Sequence, residues 1–163
     1  MTTTQHSATP SFEVRTIAPI RVAAVRHVGP YEACETAWQT LCGWAGPKGL
    51  LGPKAVFMGL SHDDPSRTPT FQLRYDACIA IADDVAIEAD APVHEITIAG
   101  GDFLCAIHHG PYSELFETYV GLFAYVLPRL GRECSCPSVE VYLEDCTVTP
   151  ADKLRTEIRI PLK

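Results

Sequence analysis

Glu140 is the lone acid in a run, CPSVEVYL (136–143), that otherwise reads as a strand. Val139, Val141 and Leu143 alternate with Ser138, Glu140 and Tyr142, the period of two that a pleated strand imposes. Glutamate is a poor strand former, and a sheet interior is a costly place for a carboxylate. Tyr142, two residues on, puts a phenol ring on the same face. A carboxylate beside aromatic surface is the chemistry that holds a flat organic cation. In a dry site desolvation pushes the carboxyl towards its neutral form, while an arriving cation favours the ionised one. If that face turned to water, Glu140 would simply be solvated.

Further rings are placed to join it. Trp38 and Tyr119 fall within two helix-like segments, Phe57 on a strand expected to pair with that of Glu140, and Tyr112 at a helix start. Other chemistries find less support. His108 and His109 are adjacent on a strand and point to opposite faces, so they cannot share a metal. The seven cysteines, at 34, 42, 78, 105, 134, 136 and 146, lack zinc-type spacing. The run GPKGLLGPK (46–54) lacks the Gly-Lys-Ser/Thr ending of a phosphate loop and reads as a connector. No metal and no cofactor are expected, and no catalytic residue is assigned beyond Glu140, should the protein be an enzyme.

The elements that must position these residues come in two copies. Residues 16–81 align with 97–162 without a gap at a constant shift of 81, with 15 identities in 66 positions; chance would supply about four. His27-x-Gly29-Pro30-Tyr31 recurs as His108-x-Gly110-Pro111-Tyr112, and Thr68-Pro69 as Thr149-Pro150. Each copy reads as an opening strand region (12–28; 95–109), a helix (31–45; 112–130) and two strands (55–62 with 71–81; 138–144 with 154–161). The predicted fold class is α+β: a tandem pseudo-twofold repeat of strand-helix-strand-strand units, with antiparallel sheets and two main helices. Residues 1–11 are expected to be a disordered N-terminal segment, and 12–163 a single ligand-binding domain with halves at about 12–82 and 94–163. The acidic stretch 83–90 links the halves, and the ligand is expected in the groove between them.

The copies differ where chemistry is proposed. Glu140 is matched by Gly59 and Tyr142 by Ser61, so one half supplies an acid and a ring where the other supplies empty volume. That asymmetry suits an asymmetric guest. The tandem units, the HxGPY motif opening each helix, and PSVEVYL followed by TPADKLRTEIRIPL resemble the GyrI-like family. FMGLSHDDP followed by FQLRYDACIAI is similar to that family's first-half signature. The family includes the effector-binding domains of AraC-type and MerR-type multidrug regulators. The resemblance covers nearly the whole chain from Phe12 and implies binding of bulky, often cationic, aromatic molecules, with the functional acid at Glu140 and Tyr142 lining the pocket. It also covers stand-alone members that neutralise gyrase-directed toxins or hydrolyse cyclopropane-bearing DNA alkylators.

Composition sets the remaining bounds. A chain of 163 residues, 47% of them hydrophobic, can bury a substantial core. The net charge of −7 gives no basic footprint for a phosphate backbone. No direct nucleic-acid binding is expected, nor a complete transcription factor, since no DNA-binding helices precede Phe12. No signal peptide or membrane span is evident, and the unpaired cysteine pattern suits a reducing cytoplasm. The expected function is capture of hydrophobic, cationic aromatic small molecules by a stand-alone xenobiotic-binding protein. The alternative is a hydrolase of cyclopropane-bearing alkylators using an aromatic cage and Glu140. A further alternative is a gyrase-interacting inhibitor or protector.

Overall fold

The computed structural model describes residues 11–163. The expectation of disorder over 1–11 therefore falls, Ser11 apart, outside the described residues. The opening region of each half is two strands rather than one. β1 (Phe12–Ile17) and β2 (Ile20–Val28) are separated at Ala18-Pro19, and β5 (His94–Ile98) and β6 (Gly101–His109) at Ala99-Gly100. Proline has no N–H to give a ladder, which ends β1. At Gly100 a Cβ would stand 2.7 Å from the Ile17 carbonyl oxygen, so only glycine lets the two corners touch. α1 (Glu35–Ala45) and β3 (Phe57–Ser61) with β4 (Arg74–Ala80) complete the first half. In the second, α2 (Leu115–Gly121) runs through a π turn (Leu122–Val126) into α3 (Leu127–Leu130), followed by β7 (Ser138–Tyr142) and β8 (Arg155–Pro161).

All eight strands form one antiparallel sheet, ordered β1-β6-β8-β7-β3-β4-β2-β5. This corrects the expectation of separate sheets. The two halves share a sheet because their strands pair across the division: β1 with β6, β2 with β5, and β3 with β7 at the centre. One face carries the helices. Leu41, Trp44 and Ala45 of α1 bury against Ala23, Ala77 and Ile79, while Leu122 and Val126 bury against Leu104, Ala106, Ile158 and Ile160. On the other face Val22, Met58, Leu60, Phe103, Cys105, Val139 and Val141 share a cluster with Ile98. Phe103 and Ile98 lie near opposite ends of the strand order, so the sheet curls to bring them together. No helix among the described residues is long and apolar enough to cross a membrane.

This arrangement leaves β3 and β7, the central pair, in a seam between the two helix packings. Register partners in a ladder share a face. Gly59 lies opposite Glu140 and Phe57 opposite Tyr142, all on the helix face, with Met58, Val139 and Val141 turned to the other cluster.

Candidate functional site

Glu140 does not face water. It is 8% exposed, because the period of two that sends Val139 and Val141 to one core sends Glu140 to the seam. Its carboxylate is held by hydroxyls: Tyr119 donates to Oε2 at 2.8 Å and Tyr142 donates to Oε1 at 2.8 Å. Tyr75 and Tyr142 place their hydroxyl oxygens 2.6 Å apart. A phenol has one proton to give. Since Tyr142 gives its proton to Glu140, Tyr75 donates to Tyr142, and the relay runs from β4 through β7 to the carboxylate.

The electrostatics follow from burial. Desolvation pushes the Glu140 carboxyl above its ordinary value; the bonds from Tyr119 and Tyr142 and the electrostatic pull of His108 bring it back only in part. Desolvation, followed by the nearby Glu140 charge, drives the Tyr75, Tyr119 and Tyr142 phenols well above theirs. The hydroxyls therefore stay protonated and remain donors.

Four of the expected site residues, Trp38, Phe57, Tyr112 and Tyr142, form one aromatic cluster with Tyr75. Trp38 meets Tyr142 edge-on at 5.6 Å between centroids, Phe57 at 6.1 Å and Tyr75 at 6.5 Å. Tyr112 meets Tyr142 edge-on at 5.5 Å. Tyr119 enters through its bond to Glu140. Trp38 and Tyr119 are half-buried and look into the seam, while the fully packed helix stripe comprises Ala37, Leu41, Trp44 and Ala45 on α1. Tyr112, 38% exposed, stands at the outer edge of the cluster; burial, reinforced by the Cys146 side chain, pushes its phenol up to about 12.

Tyr75 was missed by sequence reasoning, and so was the part of Tyr31, whose ring lies 6.0 Å from it. A signal existed: position 75 is tyrosine where its counterpart, Thr156, is not. Tyr75 also corrects the expectation of empty volume at Gly59. A Cβ there would collide with Tyr75 Oη and stand 2.5 Å from Tyr142 Oη, so the missing side chain makes room for two hydroxyls of the protein itself. A cavity of about 320 Å³ lies elsewhere, lined by Phe12, Arg15, Cys105, Ile107 and Glu157; Glu140 does not line it. His27 and His108 each donate from Nε2 to the carbonyl of the proline three residues on, at 2.8 and 3.0 Å, and so close the turns that open the helices.

Glu140 differs from the other buried acids. Asp76, fully buried, is gripped by Arg26 at 2.6 and 3.0 Å and by His62 at 2.5 Å. Glu157 is paired with Arg15 and with Arg159, the latter at 2.8 Å. Among the described residues Glu140 takes part in no ion pair, and its partners are neutral phenols.

The fold is α+β, with an acid under aromatic rings between two helices. The chain matches the family model for the GyrI-like small molecule binding domain over residues 10–163, and it belongs to that family. Solved structures share the fold at low identity. The EcmrR–DNA complex matches with a TM-score of 0.76 at 19% identity, over 95% of this chain. This chain spans 58% of the EcmrR chain; the EcmrR C-terminal domain alone matches over 96% of this chain and 99% of its own, with a TM-score of 0.73. A hydrolase encoded by lin2189 from Listeria innocua matches with a TM-score of 0.70 at 13% identity, covering 97% of this chain and 94% of that one. SAV2435 bound to tetraphenylphosphonium matches with a TM-score of 0.61 at 16% identity, covering 94% of both chains.

Proposed function

We propose that this protein captures hydrophobic, cationic aromatic compounds between its two helix packings, with Glu140 as the counter-charge. The observation that carries this reading is the contrast among buried acids: Asp76 and Glu157 have cations of their own, whereas Glu140 has hydroxyls alone. A buried carboxylate without a cation is costly, and a ligand that brings the cation relieves that cost. Trp38, Phe57, Tyr112, Tyr119 and Tyr142, with Tyr75, supply the rings, each worth about 0.5–2 kcal/mol against a desolvated cation. The rings already touch one another, so a guest must part them to reach Glu140. That SAV2435 binds tetraphenylphosphonium supports a lipophilic cation as the ligand class. Titration of tetraphenylphosphonium into wild-type and Glu140→Gln protein tests the reading: affinity should fall by about 2 kcal/mol or more in the variant, and equal affinities would remove Glu140 from the site.

The ligand-binding unit is taken as residues 12–163, two copies related by a pseudo-twofold axis through the β3–β7 pair. The strand order supports this: a shift of 81 carries β2 onto β6, β3 onto β7 and β4 onto β8 with the same bounds, and the sheet order then reads backwards. A second reading, hydrolysis of a strained electrophile, draws support from the hydroxyl relay. Water would add across the strained carbon–carbon bond, its hydroxyl going to one carbon and its proton to Glu140, while Tyr142 protonates the departing carbon and recovers a proton from Glu140 through their hydrogen bond. A cyclopropane-bearing alkylator turned over to its hydrated product by wild type and not by Glu140→Gln would establish it; unchanged alkylator would leave capture alone.

A further inference from the structure

The outer surface of α2 and of the π turn that continues it is unusually apolar for an uncovered helix. Phe116 is 69% exposed, Val120 46% and Phe123 44%, at the i, i+4 and i+7 spacing that aligns them in one stripe. The stripe starts inside the seam, since Tyr119 stacks on Phe123 at 6.5 Å between centroids with 20° between the planes, and Tyr119 donates to Glu140. Its direction is fixed by the opposite side of α2, where Thr118 reaches His108 on β6, away from the seam. The corresponding positions on α1 are Glu35, Gln39 and Cys42, with Trp38 in place of Tyr119. Glu35 and Gln39 are exposed, and the Gln39 amide donates to Glu35 at 3.5 Å. The approach to Glu140 thus has an aromatic bank on α2 and a polar, anionic bank on α1.

We infer that Phe116, Val120 and Phe123 form an extended subsite for the ligand, a shelf that takes the aromatic body of an elongated organic cation whose charged end lies at Glu140. The inference deepens the proposed function and rests on Glu140 as counter-charge. The continuous Glu140–Tyr119–Phe123 path assigns the shelf to the same guest. Phe116 to Phe123 spans about 10 Å along the helix, the scale of a polycyclic ring system rather than of a single ring. The preferred ligand is therefore long, flat and charged at one end.

The test is isothermal titration with two probes, benzyltrimethylammonium as a compact cation and rhodamine 6G as an extended one. The proteins are wild type, the Phe116→Ala/Phe123→Ala double variant, and Glu140→Gln. Phe116 is 69% exposed and Phe123 44%, so a melting temperature close to that of wild type is expected of the double variant. It should bind rhodamine 6G about tenfold or more weakly and benzyltrimethylammonium within about twofold of wild type. Equal losses for both probes, or no loss for either, would overturn the shelf. So would wild-type self-association in sedimentation that the double variant abolishes, since a second copy would then be the occupant. If Glu140→Gln weakens both probes while the double variant fails to discriminate, the shelf falls alone. If Glu140→Gln weakens neither, the counter-charge reading falls and the shelf with it.

Discussion

Ionising Glu140 in the empty protein costs the solvation of a carboxylate, and only the hydroxyls of Tyr119 and Tyr142 and the more distant His108 offset it. Its folded value is raised, so its contribution to stability is fully present below the ordinary glutamate value of 4.5 and is lost as pH rises through the folded value. Asp76 behaves oppositely. Desolvation works against its charge, but His62 and Arg26 together hold it below its ordinary value, so its contribution is present above that value and is lost as pH falls. Glutamine copies the neutral form of Glu140. In thermal melts of the empty protein at pH 8, Glu140→Gln should therefore melt no lower than wild type. A clear fall in melting temperature would mean that the charged form is stabilised by something other than the phenols. Tyr119→Phe deletes one donor to the carboxylate and should move the pH midpoint of cation affinity upward; a downward shift would contradict the hydrogen-bond assignment.

Strands and helices were legible where periodicity is strong. The alternation at 138–142 placed Glu140 and Tyr142 on one face, and the HxGPY motif marked both helix starts. What escaped was set by contacts across the sheet. Nothing local to Arg74–Ala80 reveals that Tyr75 aims at Tyr142, a residue two strands away in the sheet. Pro19, which ends β1, stands in the sequence, but the close approach of its corner to Gly100, far along the chain, does not. The π turn at Leu122–Val126, directly after the turn that carries Tyr119, leaves no trace in the apolar pattern; wide turns of this kind favour functional sites. Gly59 was noticed as a missing side chain, and its cause lies in β4 and β7 together. Gly59→Ala should destabilise the protein by about 1–3 kcal/mol, the usual cost of overpacking. In a chain of this size that lowers the melting temperature by roughly 2–4 °C per kcal/mol. An unchanged melting temperature would show that the two hydroxyls have room to retreat.

At the scale of the molecule, the halves hold each other's edges. β1 leaves its own half to pair with β6, β5 pairs with β2, and β3 meets β7 at the centre. Fragments 11–82 and 93–163 should each lack a cooperative thermal transition when purified alone and regain one when mixed; a fragment that folds by itself would show the cross-pairing to be dispensable. The same interlock builds the seam, where a carboxylate from one half lies under rings from both. The direct measurement is the affinity for tetraphenylphosphonium across pH 4 to pH 9, in wild type and in Glu140→Gln. Wild-type affinity should climb as Glu140 ionises and then level off, while the variant stays weak and flat; coincident curves for the two proteins would contradict a buried anion waiting for its cation.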